Sequence, residues 1–413
     1  MANASAVSAV LDTNSVFVEV DGSVRRIAVG DFKDSVDETP STTIGATVTT
    51  FTLEGSSSPS FDLINRGAAE LYQAQMGGYM MLMSGGKAYA AKLNPSDWNY
   101  FADGTAVDDA SLYETMVHVP LCNYLGSDKT LYFGGLTPID GGHTFDSPQW
   151  VGAYKIYLDS SNVAHSRPGV APAHTKTMTA FWNYAQNLGS EWGLANYGFH
   201  CLVNALYQAR YGNLDSQTVI GYGFNYSTDY AVARDVAMGL TRSLGDGSGC
   251  VLYNDDTMGD QYPVKLFGFE DLWVKLWEFR PGIRFYLGDD DVRYAVAYTG
   301  NVVSSDATGR EISGVASSDS YAKTMALGEY WDMVGTSTGG SSSTYYCDRW
   351  GGSTTGTILC VGGLSSSGAG CGVACSNSNN AFSNSAAYFG ARLAFYGEPE
   401  IVSGTELATM AAS

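Results

Sequence analysis

Basic side chains are scarce in this chain. Lysine and arginine number 22 against 42 acidic residues, a formal net charge of −20, and a field of that sign repels phosphate backbones and anionic lipid headgroups. Nucleic acid and membrane surfaces are therefore disfavoured as partners. No apolar run approaches the roughly 20 residues that cross a bilayer. The opening Met1-Ala2-Asn3-Ala4-Ser5 lacks the basic and apolar regions of a secretion signal. Synthesis in a cytoplasm, without signal peptide or membrane insertion, is the expectation. Cysteine is also sparse: Cys122, Cys201, Cys250, Cys347, Cys360, Cys371 and Cys375 are odd in number and scattered, which suits reduced thiols rather than a disulfide framework.

Strong catalytic motifs are missing as well. The five histidines (His118, His143, His165, His174, His200) form no His-Glu-x-x-His and none stands at zinc-ligand spacing with a cysteine pair. His174 reads as a capping or surface residue. Cys371 and Cys375 have no second pair in reach, so a metal or redox pair is the minor reading. Asp255-Asp256 and Asp289-Asp290-Asp291 offer the oxygen-rich chemistry calcium takes but no loop pattern, and read as solvated acidic turns. No catalytic residue, metal or cofactor is expected.

What the chain does have is glycine (49) and tyrosine (27), spent on turns and irregular connections. Between Gly335 and Tyr396 the only charges are Asp348, Arg349 and Arg392, and there is no proline. Apolar runs at Thr357–Val361 and Ala391–Phe395 bracket this Ser/Gly/Asn/Tyr-rich stretch like strands framing loops. Rigid aromatics among Ser, Gly and Asn form the compositional logic of a displayed binding surface.

Elsewhere, Val16–Val20, Asp21-Gly22 and Val24–Val29 predict a hairpin. The Ser/Thr/Gly/Pro-rich Ser35–Ser60 reads as part of a β-rich N-terminal appendage, residues 1–60. A short helix over 65–75 leads into a hairpin around Ser84-Gly85-Gly86. Met178, Phe181, Trp182, Ala185 and Leu188 predict a helix with Thr175 or Thr177 as N-cap and Gly189 as stop. A second helix is expected over 196–211, ended by Gly212. Two helices among short strands indicate an α+β class, with the main domain over 61–400.

Gly268-Phe269-Glu270-Asp271-Leu272-Trp273-Val274-Lys275-Leu276-Trp277-Glu278-Phe279 places apolar residues at i, i+3, i+4, i+7 and i+8, an amphipathic core segment in which Trp273 and Trp277 are expected to be buried. It resembles the Gly-x-Glu-Asn-x-Trp-Gly-Asn-x-Trp-Glu-Trp signature of the formylglycine-generating-enzyme type of C-type lectin fold. Asp271 stands for Asn, and Val274-Lys275 for Gly-Asn. Val361-Gly362-Gly363 and Gly390-Ala391-Arg392-Leu393 follow in the order that family uses. Thr344–Asp348, Cys371-Gly372-Val373, Asn379-Asn380-Ala381 and Ser383-Asn384-Ser385 further resemble the framework of variable proteins diversified by retroelements in phages and bacteria, whose adenine-bearing codons a reverse transcriptase rewrites.

The resemblance implies a C-type lectin fold and a non-enzymatic receptor-binding protein, on a phage tail or cell surface, that engages a protein or glycan on a target cell. It also implies display on several copies, a homotrimer first. The variable region spans about 344–396. Its candidate variable positions are Arg349, Trp350, Ser353, Leu359, Cys360, Leu364, Ser365, Ser367, Cys375, Ser376, Ala386, Ala387 and Tyr388. Tyr345, Tyr346 and Asp348 support them. The alternatives are an oxidative enzyme on the same scaffold, using Cys371 and Cys375, and an invariant structural tail protein.

Overall fold

The computed structural model describes residues 48–53 and 55–413, together with the backbone of three strands, Val7–Asp12, Ser15–Val20 and Ser23–Ala28. The last two pair antiparallel as the arms of the expected hairpin. Its Asp21-Gly22 turn, and the part of the Ser35–Ser60 reading before residue 48, lie outside the described residues.

The body of the protein starts earlier than the expected boundary near Ser60. Thr49–Thr52 pairs with Thr130–Phe133 in a four-stranded sheet, and Phe51 packs on Phe61 and Trp331 with ring centroids 4.9 and 5.6 Å apart. The Ser/Thr-rich composition hid a strand whose Thr49 and Phe51 are buried while Thr52 is exposed. At the other end, the helix Gly404–Ala411 buries Leu407, so the body also continues past residue 400.

Sheet dominates, with 36% strand against 18% helix, which places the chain at the β-rich end of the α+β class. One large sheet runs, in spatial order, Trp192–Leu194, Arg392–Phe395, Trp150–Lys155, Glu114–His118, Gly77–Ser84, Lys87–Asn94 and Glu400–Ile401. The other runs Arg310–Ser313, Arg293–Ala297, Trp277–Leu287, Ile358–Val361, Ser376–Asn380, Arg349–Gly351, Asp319–Leu327 and Asp332–Thr338. Near its end the chain stitches the two together: Phe389–Gly390 pairs parallel with Trp277-Glu278 in the second, and Arg392–Phe395 then enters the first.

All three expected helices form, the first over Gly67–Gln75. Met178–Gln186 begins at Thr177, whose Oγ1 accepts from the Ala180 N–H at 3.1 Å. Tyr197–Tyr211 begins at Asn196, whose Oδ1 accepts from the Phe199 N–H at 3.0 Å, and ends at Gly212 with φ 62°, a left-handed stop. This helix is buried along almost its whole length and packs on Trp277–Leu287.

The Gly268–Phe279 segment is not a helix. Asp271, Val274 and Lys275 have φ of 51°, 58° and 71° and break the chain into short turns before the Trp277–Leu287 strand. Phe269, Leu272, Trp273 and Leu276 are all buried, and so are Asp271 and Lys275 between them. With every side covered, the spacing carries no amphipathic face. Trp277 departs from expectation: it is only half-buried, standing where the segment meets Tyr388.

Candidate functional site

The Thr344–Arg392 stretch holds together through its small residues. Gly362 and Gly363 adopt φ of 91° and 78°, and a Cβ on Gly363 would lie 2.0 Å from the Cys371 Sγ. Only glycine fits there. Asparagine side chains bond to the neighbouring backbone and to one another. Asn377 Oδ1 accepts from the Asn379 N–H at 2.9 Å and the Asn380 side chain at 3.0 Å, and Asn384 Oδ1 accepts from the Ala381 N–H at 2.9 Å. Asp348, buried, accepts from the Ala374 N–H at 2.9 Å, and burial pushes its carboxyl well above the usual range. Gly372 makes room for it, since a Cβ there would lie 2.4 Å from Asp348 Oδ1.

Six of the candidate variable positions are not displayed. Trp350 is fully buried: its Nε1 donates to the Ala316 carbonyl at 2.9 Å and its ring covers Gly335, whose Cβ would come within 2.5 Å. Leu359 and Cys360 sit in a strand covered on both faces. Ser365 is buried with its Oγ unpaired. Cys375 lies against Cys371, and Ser376 donates to the Ala374 carbonyl at 3.0 Å. These positions read as surface because hydroxyl, thiol and tryptophan side chains occur in both settings. Their strand neighbours decide the matter. Asn379 and Ser383, assigned to the framework, are exposed.

Of the remaining seven positions one is exposed and six are half-buried. Arg349 is exposed and paired with Asp319 at 2.7 Å, its aliphatic stem lying along Gly370. Leu364, half-buried, precedes the kinked 3-10 segment Ser365–Gly370, and Ser367, also half-buried, lies within it. Ser353 is half-buried and accepts from the Gly356 N–H at 3.0 Å, a turn role. Ala386, Ala387 and Tyr388 are half-buried, with the Tyr388 ring 6.3 Å from Tyr230.

Tyr230 belongs to a segment the sequence reading overlooked. The Tyr226 N–H donates to the Ser365 carbonyl at 3.2 Å, and the Gln217 side chain donates to the Gly368 carbonyl at 3.2 Å. The stretch 221–235 therefore continues the loop surface from Ser365–Gly370 to Tyr388. Its sequence, Gly-Tyr-Gly-Phe-Asn-Tyr-Ser-Thr-Asp-Tyr over 221–230, satisfies the same composition rule that marked 335–389. On the opposite flank, Tyr321 pairs with Arg349, and Lys323 lies over the Tyr345 ring at 5.4 Å. Tyr345 and Tyr346 line a cavity of about 560 Å³ with Phe51, Phe61, Lys129 and Lys323. Tyr346 itself is buried and supports rather than displays.

Cys371 and Cys375 are both buried, and their mutual contact lowers the first thiol's pKa and raises the second. Ser376 Oγ lies 3.4 Å from His200 Nε2, but both residues are buried, and burial followed by the Arg280 charge pushes His200 down to about 3. Such an imidazole is a weak base. All seven cysteines are unpaired, and no cluster of metal-ligating side chains occurs among the described residues. No helix there is long and apolar enough to cross a membrane. No family model matches the chain, and the search of curated proteins found no match.

Proposed function

We propose that this chain is a non-enzymatic receptor-binding protein of the retroelement-diversified kind, built on a C-type lectin fold and carried on a phage tail or cell surface. The observation that carries the reading is the continuity of the loop surface. Arg349, Leu364, Ser367 and Tyr388 lie on elements linked by direct contacts through Gly370 and Tyr230. Aromatic and aliphatic contact area stands there among small polar groups.

Two features of the core support the fold assignment. The motif halves on which the resemblance rests meet through the Glu278–Arg392 pair at 2.7 Å. The departures from that motif also answer one another: Asp271 and Lys275 form a buried ion pair at 3.6 Å.

Sequencing the DNA around the gene tests the proposal. The expected finding is a near-copy of the segment coding for Thr344–Arg392, beside a reverse transcriptase gene, with mismatches at adenines in codons for the outward positions. Absence of the copy, or mismatches concentrated in codons for Trp350, Leu359 and Cys360, would sink it.

A further inference from the structure

Residues 249–265 form one long hairpin. Gly249-Cys250 pairs with Val264-Lys265, and Tyr253–Asp255 with Gly259–Gln261, in a single antiparallel register. Between them the Val251 N–H donates to the Pro263 carbonyl at 3.1 Å. Pro263 has no N–H to return, so the ladder is interrupted there while the register is kept. Leu252 therefore stands directly opposite Tyr262.

That register decides where the backbone groups point. Antiparallel strands alternate between residue pairs that bond to each other and pairs whose N–H and C=O face outward. Val251 bonds inward, which turns the backbone groups of Cys250, Leu252 and Asn254 away from the partner strand. The partner strand's own outer edge is occupied: Tyr262 bridges to Gly223, and the Asp271 N–H donates to the Val264 carbonyl at 2.9 Å. On the 249–255 side, no strand pairs and no backbone hydrogen bond reaches these three residues among the described residues.

Side chains obey the same alternation. Cys250, Leu252, Asn254, Asp256, Asp260 and Tyr262 are all exposed, Leu252 by 63% and Tyr262 by 43%. The Asn254 side chain donates across to Asp260 Oδ1 at 2.7 Å, as expected of opposite residues on one face. An open edge beside exposed apolar side chains is a template for an added strand.

Charge narrows the occupant. The hairpin carries Asp255, Asp256 and Asp260, and its one base, Lys265, is buried. Nearby arginines are committed: Arg242 donates to the Trp98 carbonyl at 2.8 Å, and Arg234 is paired with Asp235 at 2.6 Å. A second copy of this chain, with its net charge of −20, brings the same acidic edge and is repelled. A segment bearing Lys or Arg is attracted, and its alternate apolar residues meet Leu252 and Tyr262.

We propose that the edge over residues 249–255 binds an extended, basic segment of a partner protein as an added strand. The proposal does not depend on the loops being diversified. Titration of the full chain with an end-capped Lys-Val-Lys-Val-Lys-Val peptide, followed by NMR shifts and amide hydrogen exchange, tests it. One control is Glu-Val-Glu-Val-Glu-Val. The other is the lysine peptide N-methylated at every residue, which keeps its charge and loses its donors.

Saturable binding of the lysine peptide alone is expected. Exchange at the Cys250, Leu252 and Asn254 amides should slow about tenfold when the peptide stands at about ten times its Kd. Leu252→Pro removes a donor that faces solvent, where an edge strand tolerates proline, and should weaken binding about tenfold. Asp256→Asn combined with Asp260→Asn, both exposed, should weaken it several-fold and flatten its salt dependence, which keeps the test valid if Leu252→Pro fails to fold. Four results would overturn the assignment: no saturable binding of the lysine peptide, equal binding of either control, slowed exchange confined to other segments, or folded variants that bind as the parent does. A dimer in sedimentation without peptide, with the same three amides protected, would also overturn it by giving the edge to a second copy.

Discussion

Arg392 grips Glu278 at two points in the core, Nε to Oε2 at 3.1 Å and Nη2 to Oε1 at 2.7 Å, with neither side chain exposed. Lys155 and Arg280 reach the same carboxylate at 2.6 and 2.7 Å. Three cations on one anion would leave surplus charge, but backbone carbonyls absorb it. Arg392 donates to Gly152, Ala153 and Glu270, and Lys155 to Leu276. Burial alone would raise the Glu278 pKa; Arg392, Lys155 and Arg280 together hold it well below the usual value. The cluster sits where the last strand joins the two sheets, so the fold and the charge network depend on each other.

Removing one partner of a buried pair costs about 3–5 kcal/mol, because the other charge is left unpaired. Arg392→Met and Glu278→Gln should each lose that much in denaturant unfolding. Arg349→Ala, an arginine in an exposed pair, should lose less than about 1 kcal/mol. Equal losses for the two arginines would contradict the assignment of Arg392 to core and Arg349 to surface.

The Asp271–Lys275 pair should show strong coupling in a double-mutant cycle. Lys275 Nζ has no hydrogen-bond acceptor and rests 4.8 Å from the Phe224 ring centroid, so Asp271 is its principal counter-charge. Asp271→Asn and Lys275→Asn should each destabilise by several kcal/mol, about 3–5 for a buried pair. The double variant should lie closer to the parent than the sum of the two. Strict additivity would show that the residues do not act as a pair.

Two buried bases give stability a defined pH dependence. Burial pushes His200 down from 6.5 to about 3, and Lys265 down from 10.5 to about 7. In each case the fold favours the neutral form. The unfolded chain therefore binds more protons between the two values, and stability rises with pH across that window. His200 contributes a loss as pH falls from 6.5 toward 3, and Lys265 a gain as pH rises from 7 toward 10.5. Denaturation midpoints against pH should flatten relative to the parent in the acid limb for His200→Gln and in the alkaline limb for Lys265→Met. A variant curve parallel to the parent's would rule that group out as the cause.

EDTA should leave the melting temperature unchanged. The acidic runs spend their oxygens locally: Asp255 Oδ1 accepts from the Thr257 and Met258 N–H groups, each at 2.9 Å. Asp290 takes the Val292 N–H at 3.1 Å and the Tyr294 hydroxyl at 2.7 Å. A fall of many degrees, reversed by calcium, would reveal an ion site.

Local signals in the sequence carried the helices and hairpins, because caps and turns are decided by neighbours a few residues away: Thr177, Asn196 and Gly212 all act where the pattern puts them. The motif halves around Glu278 and Arg392 were legible as words, but not as an ion pair, since nothing local joins residues 114 apart. The inside and outside of the loop region were not legible. Trp350 and Tyr388 look alike in composition, and only the register of Arg349–Gly351 between its neighbours turns Trp350 inward while Arg349 faces solvent. Tyr230 was missed because its partner Tyr388 lies far along the chain.

The division between displayed and structural loop positions is tested most directly by a pooled single-site saturation library over residues 344–392, read out by protease resistance of the folded chain. Positions 349, 364, 367, 386, 387 and 388 should accept charged, polar and apolar residues alike, within the roughly 0.5 kcal/mol typical of surface changes. Positions 350, 359, 360, 365, 375 and 376 should reject most of them, as cavity formation or a buried unpaired polar group destabilises by several times that amount. Equal tolerance at Trp350 and Tyr388, or the reverse order, would contradict the separation of loop surface from core.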